Sequence, residues 1–168
     1  KQYNIDYIRK NAYTEKRQQR EEAMKKMIDI AFGSSRYDEL VELRYKILLE
    51  PLGLKFLDHH RAKEANYLHI GCIECLDDKL IGGLILAPVN NEEIRLMQVA
   101  VDCKYQGEGV GRDLVKYAEK RAQEAGYSKI VMHAMLSVVH FYEKMNYKQE
   151  GDIFEENSIT FAKMVKDL

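Results

Sequence analysis

The chain lacks any apolar run approaching the ~20 residues of a membrane-spanning helix. Its opening stretch, KQYNIDYIRKNAYTEKRQQR, holds no apolar signal core. Cysteine is scarce. There are three, an odd number, which suits a reducing interior better than a disulfide-built scaffold. Neither sign of charge dominates: 26 Lys and Arg stand against 27 Asp and Glu, a formal net charge of −1. A protein that coats nucleic acid is normally clearly basic. These absences point to a cytoplasmic protein with no membrane or nucleic-acid partner. What is present is 168 residues, 46% of them hydrophobic, the length of one domain. Such a domain buries a sizeable core without help from a disulfide or a structural metal.

Residues 1–26 differ from the rest, with eight Lys and Arg against four Asp and Glu. They read as a basic N-terminal extension, with the globular domain over 27–168. Arg17 to Ile30 is rich in helix formers and reads as one exposed helix, either a solvated face or a partner-binding lid. Met24 and Met27 are alternative natural starts. Beyond it, Ile28 to Phe32 reads as a strand. Ser35 and Asp38 resemble a capping box for a helix carrying Leu40, Leu43, Ile47 and Leu48, which Pro51 and Gly53 end. Asp58 to Ala65 reads as a short helix.

Three strands follow, over 66–76, 79–89 and 93–101, joined by Asp77-Asp78 and Asn90-Asn91 turns into an antiparallel meander. The period then changes. Val110, Leu114, Ala118 and Ala122 recur every four residues, the stripe of an amphipathic helix, with Gly126 closing it. A strand over 127–135, a short helix over 137–144 and two more strands complete the chain. Strand, helix, strand at this point predicts a parallel crossover. The class is α/β (α+β), a mixed central sheet of about six to seven strands flanked by helices.

Between strand and helix lies Gln106-Gly107-Glu108-Gly109-Val110-Gly111. Glycines at alternate positions permit positive φ and bare the main chain, so amides can converge on an anion at the positive end of the following helix. A dinucleotide fingerprint fails on spacing, because Arg112 stands where the third glycine should be. A Walker A loop fails for want of Lys-Ser/Thr after Gly111. A glycine turn without ligand is the plainer alternative.

Val99-Ala100-Val101-Asp102, then Tyr105 to Arg112 and Leu114, resembles the central motif of the GCN5-related N-acetyltransferases, [Q/R]-x-x-G-x-[G/A], met by Gln106, Gly109 and Gly111. Phe141-Tyr142-Glu143-Lys144-Met145-Asn146-Tyr147 is similar to the family's F-Y-E-K-x-G-F segment, with Asn146 in place of glycine. The likeness covers about residues 28–168. Within the family, the small ElaA-type acetyltransferases are the nearest in pattern, though their histidine near Ile159-Thr160-Phe161-Ala162 is missing.

The resemblance implies acetyl-CoA as co-substrate and no metal. The amides of Gln106, Gly107, Glu108, Gly109, Val110 and Gly111, with Arg112, would hold the pyrophosphate. Val99, Ala100 and Val101 would pair with the pantetheine arm as an added strand does, the Val99 amide polarising the thioester carbonyl. Tyr142 would give a proton to the leaving thiolate, since a phenol near pKa 10 lies close to a thiol near 8.5. The other reading of Tyr142 is a packed aromatic. A position where many relatives carry Asn is Met135 here. His133 is the candidate base, or simply a strand histidine; Glu93, Glu155 and Glu156 are further candidates.

The implied activity is direct transfer of acetyl to a primary amine of a small molecule or peptide. Alternatives are a non-catalytic acyl-CoA-binding regulatory module and an amino-sugar phosphate N-acetyltransferase. A homodimer through the terminal strands or the N-terminal helix is a further expectation. Cys72 and Cys75 spell C-x-x-C but fall on opposite strand faces without a second pair, so they read as structural. His59-His60-Arg61 reads as a surface cluster.

Overall fold

The computed structural model describes residues 24–55 and 58–168, without the side chains of 58–60. Strand β1 spans Lys25–Ile30, and helix α1 spans Ser35–Arg44. A π-helical turn over Tyr45–Leu49 and a 3-10 turn over Glu50–Leu52 continue α1 as far as Gly53. Helix α2 is Asp58–Lys63. The meander is β2 (Leu68–Glu74), β3 (Lys79–Pro88) and β4 (Glu93–Val101). Helix α3 (Val110–Glu124), β5 (Lys129–Met135) and α4 (Val139–Glu143) follow. The chain closes with β6 (Lys148–Gln149), β7 (Phe154–Glu156) and β8 (Ile159–Asp167).

All eight strands join one mixed sheet, ordered β1-β2-β3-β4-β5-β8-β6, with β7 also on β8. Among the described strands only β4 and β5 run parallel, as the intervening helix predicts. The mixed sheet with flanking helices agrees with expectation, and the strand count exceeds six to seven because three strands, the short β6 and β7 and the long β8, follow Tyr147 where two were expected. Two further expectations are corrected. From Lys25 the chain is β-strand, so the helix read over 17–30 does not extend through the described residues; residues 1–23 lie outside them. Lys25 to Ile30 pair residue by residue with β2, and that pairing overrides helix propensity. The cap of α1 is Ser34, whose Oγ accepts from the Tyr37 amide, so the capping box read at Ser35 is one residue late.

The sheet separates two cores. The α3 side holds Ile70, Leu84, Ile94, Leu96, Ile130, Met132, Met164 and the stripe Val110, Leu114, Ala118 and Ala122. The α1 side holds Ile30, Tyr37, Leu40, Leu80 and Ile85. Gly82 and Gly83 let both layers approach. A Cβ on Gly82 would lie 2.9 Å from Leu114 Cδ1, and one on Gly83 would lie 2.3 Å from Leu40 Cδ1. Beneath α1, Arg44 and Glu64 are buried together, with Tyr37 Oη donating to Glu64 at 2.9 Å. This network ties α1 to the segment entering β2.

Candidate acyl-transfer cleft

Strands β4 and β5 pair over only three residues, Glu93↔Lys129, Ile94↔Ile130 and Arg95↔Val131. Beyond that point β4 runs on to Val101 without β5 as a neighbour. A second irregularity lies in the freed stretch. Register with β3 jumps from Gly83↔Ala100 to Ile85↔Met97, so β4 carries one extra residue there. Gln98 has a φ of 54°, the sign of a bulge immediately before Val99. A bulge breaks the regular ladder and re-aims neighbouring amides. The sequence places Val99, Ala100 and Val101 in a strand; the structure adds that this strand is splayed and bulged.

The glycine loop continues from this strand. Gln106 Nε2 donates to Val101 O at 3.0 Å, and Asp102 is held by its amide on Ile81 O at 2.9 Å and by Lys79 Nζ at 2.7 Å. Gly107 and Gly109 adopt φ of 81° and 84°. Gly111 does not. Of the three alternating glycines, only two are there for positive φ. At Gly111 a Cβ would meet Phe141 Cζ at 3.7 Å and Val101 Cγ2 at 3.8 Å, so this glycine serves the packing of α4 against the start of α3.

No side chain caps α3, and Asp113 N is the first of its amides to take a loop carbonyl, Gly109 O at 3.0 Å. The amides of Val110, Gly111 and Arg112 therefore form the open, positive end of a fifteen-residue helix. Gly107, Glu108 and Arg112 are exposed around it, and Val110 is buried as the first residue of the apolar stripe. Glu108 is tied to β1 by Lys25 at 2.7 Å, and Arg112 Nε lies 3.2 Å from Asp113. These groups can hold a diphosphate through main-chain donors.

Phe141 brings α4 to the loop, and Tyr142 follows it with ring centroids 4.9 Å apart. Tyr142 is 7% exposed and packs on Tyr147 at 5.8 Å. Burial pushes its phenol up to about 12. That alters the expected chemistry. Full transfer of a proton from such a phenol to a thiolate near 8.5 is uphill by roughly 5 kcal/mol, so Tyr142 suits donation of a hydrogen bond more than complete proton transfer. Asn146 takes a φ of 66°, the left-handed conformation its place after α4 requires.

His133 lies on the opposite face of the sheet from Tyr142. Met132 and Ala134 point into the α3-side core, and His133 alternates away from it, its ring 4.9 Å from that of Phe154. Partial burial, then the nearby Arg95 charge, hold its imidazole below the usual range. It is neutral near pH 7. Met135, 36% exposed, ends the same strand without a polar group. Glu93 is engaged by Lys129 at 3.4 Å, while Glu155 and Glu156 are exposed on β7. Cys72 is buried on β2, and Cys75 is exposed in the turn after it, so the two do not share the strand on which the C-x-x-C spacing predicts opposite faces. Arg61 pairs with Asp38; His59 and His60 fall outside the described side chains. Among the described residues no group of three or more His, Cys, Asp or Glu could hold a metal, and no helix is long and apolar enough to cross a membrane.

Sequence reasoning missed Arg95 and the aromatic pair Phe154–Phe161. The alternation Ile94-Arg95-Leu96-Met97 carried the signal for Arg95, since a cation between two core residues of a central strand must face the other side.

Residues 55–168 match the family description acetyltransferase (GNAT) domain. The human N-acetyltransferase 8B is 27% identical over 86 residues, 46% of this chain and 38% of that protein. The mouse probable N-acetyltransferase family 8 member 5 is 26% identical over 80 residues, 45% of this chain and 35% of that protein. The matched stretch thus spans well under half the length of these relatives. Among solved structures, a Lactobacillus plantarum chain has a TM-score of 0.76 at 24% identity, over 86% of this chain and 98% of its own. Escherichia coli ElaA gives 0.72 at 18%, over 85% and 99%. An aminoglycoside 6'-N-acetyltransferase complexed with coenzyme A gives 0.71 at 17%, over 84% and 96%. At these identities the likeness is one of fold.

Proposed function

Since the chain belongs to the acetyltransferase (GNAT) family, we propose that it transfers the acetyl group of acetyl-CoA directly to a primary amine of a small molecule or peptide. The observation that carries this reading is a continuity. One strand leaves its parallel neighbour after Arg95, bulges at Gln98, and runs through Val101 into the uncapped start of α3. An extended thioester laid along β4 would have its diphosphate at 107–112 and its acyl end at the bulge.

When bound, acetyl-CoA supplies an activated acyl thioester. The loop amides of Gly107 to Arg112 hold the anion, with the Arg112 guanidinium beside them. Val99 to Val101 bind the pantetheine arm by main-chain pairing, and the Val99 amide faces the thioester oxygen where negative charge develops. His133 takes the proton that the attacking amine must lose, and passes it to water. The amine nitrogen bonds to the acyl carbon as the carbon–sulfur bond breaks. The sulfur keeps the electron pair, and the Tyr142 hydroxyl donates a hydrogen bond to it until solvent returns a proton. The products are an N-acetyl amide and free coenzyme A.

The test is thiol release from acetyl-CoA across a panel of amines. The proposal expects amine-dependent release with acetylated product in equal amount. Binding of coenzyme A without release for any amine would instead identify a non-catalytic acyl-CoA-binding module.

A further inference from the structure

A cation without a hydrogen-bond or ion-pair partner among the described residues lies where β4 and β5 part. Arg95 is the last β4 residue to pair with β5. Ile94 and Leu96 point into the α3-side core, so Arg95 faces the α1 side, together with Met97, which packs beside the α1-side core. The same alternation puts Val131 and His133 of β5, and Phe161 and Lys163 of β8, on that face. Phe154 extends it: its ring stacks on Phe161 at 5.8 Å and meets His133 at 4.9 Å. The floor of this face thus carries Arg95, His133 and Lys163 beside the rings of Phe154 and Phe161 and the apolar Met97 and Val131.

The other basic groups of the floor are engaged. Lys163 bonds Glu150, and Lys129 bridges Glu93 at 3.4 Å and Glu150 at 3.1 Å. Glu156, exposed at the rim, forms no ion pair among the described residues. Arg95 Nε is buried with no hydrogen-bond acceptor among them either. A guanidinium keeps its charge at any ordinary pH, and a buried donor without an acceptor is costly. Such a group is complementary to an anion brought by a ligand.

Coenzyme A's own phosphates do not fill this role. Their proposed cradle begins beyond Val101, six residues along β4, about 20 Å at the strand rise. Nor does the spot suit a phosphate on the acceptor. A dianion calls for several donors, as at the start of α3, and here the described residues offer one unengaged guanidinium, with Lys163 held by Glu150. A single planar fork matches a carboxylate, which it can grip through two parallel N–H···O bonds. Arg95 and Val99 are four residues apart, about 13 Å. The arginine side chain and a small amino acid together fill that span.

We propose that Arg95 is the carboxylate anchor of the acceptor site, so that the amine acetylated by this domain carries a carboxylate, gripped by Arg95, with its amino group towards His133. This rests on the acyl-transfer reading above and gives it a substrate class.

The test uses the whole chain saturated with coenzyme A and labelled with 15N-arginine. N-acetylalanine and N-acetylalaninamide serve as a product pair differing only in the carboxylate. One arginine Nε–H resonance, absent from the R95K spectrum, should shift with the acid and stay in place with the amide. In turnover, amino acids should show a KM about tenfold or more below those of their amides. In R95M and R95K that ratio should fall to within about twofold. An Arg95 resonance that ignores the acid, or moves equally with the amide, overturns the proposal. So does an R95M enzyme that keeps the acid preference, or wild-type preference for amines bearing phosphate. Should R95M fail to fold, R95K and the resonance itself decide. If instead coenzyme A neither binds nor is released, the acyl-transfer reading fails, and the Arg95 resonance still reports carboxylate binding on its own.

Discussion

Gln106 reaches back five residues along the chain, its Nε2 donating to the carbonyl oxygen of Val101 at 3.0 Å. The bond joins the end of the splayed strand to the loop that opens α3, so the two halves of the proposed coenzyme A site are held by one side chain. Replacing Gln106 by Leu removes the donor and keeps the bulk. Coenzyme A should then bind about tenfold more weakly, at a cost near that of one hydrogen bond to an ordered loop. Isothermal titration measures it, and unchanged affinity would remove Gln106 from the loop's support.

Tyr142→Phe separates packing from chemistry. The ring stays between Phe141 and Tyr147, so the melting temperature and coenzyme A affinity should hardly change. Turnover should fall about 10- to 100-fold, the scale of a lost donor to a developing charge. Because burial raises the phenol to about 12, wild-type turnover should show no loss from phenol ionisation up to pH 10. Steady-state kinetics across pH reads both effects.

The cleft was legible in the sequence where chemistry and local conformation coincide. Gln106, Gly107 and Gly109 announce a bare loop because two of those positions need positive φ, and the four-residue stripe from Val110 places the helix behind it. The bulge at Gln98 left no such mark. It arises from register between β3 and β4, which depends on residues distant in sequence. Arg95 was hidden for a related reason. Its importance lies in having no partner among the described residues, and partners are known only once strands are aligned. The helix read over 17–30 does not reach through Lys25 to Ile30, because propensity is weak beside six paired strand residues.

His133 sets the low-pH limb of the proposed reaction. Its imidazole is held below the usual range by burial and by Arg95, so the base is free at pH 7 and is lost only as pH falls through that lowered value. The rate should therefore rise with pH and level off below about 6.5. His133→Gln should abolish that limb and reduce kcat/KM by about 10- to 100-fold. An unaltered limb in the variant would transfer the base role to another group.

Glu64 should govern acid stability. Burial by itself would raise its carboxyl, but His69 (Nε2 3.6 Å away), the Arg44 guanidinium and the Tyr37 hydroxyl overcome that and hold it at about 2. A depressed carboxyl contributes stability above its unfolded value and loses it as pH falls. The contribution, roughly 3 kcal/mol, should be complete above about pH 5 and disappear towards pH 2. Glu64→Gln should lose about 3 kcal/mol at pH 7, because the buried pairing of the Arg44 guanidinium with the Glu64 carboxylate is removed. Urea unfolding at several pH values tests this, and a variant with wild-type stability at pH 7 would contradict it.

The account stands on main-chain amides at the start of α3 binding a diphosphate. The direct measurement is an amide 15N–1H titration with coenzyme A, run on the wild-type chain and on Gly109→Val. That substitution forces a β-branched residue to a φ of 84° and a Cβ to 3.0 Å from Arg112 Nη2. In wild type, the resonances of Gly107 to Arg112 and of Val99 to Val101 should move together and saturate, and in the variant they should stay still. Wild-type loop resonances unmoved at saturating coenzyme A, or a Gly109→Val chain that responds as wild type does, would contradict it.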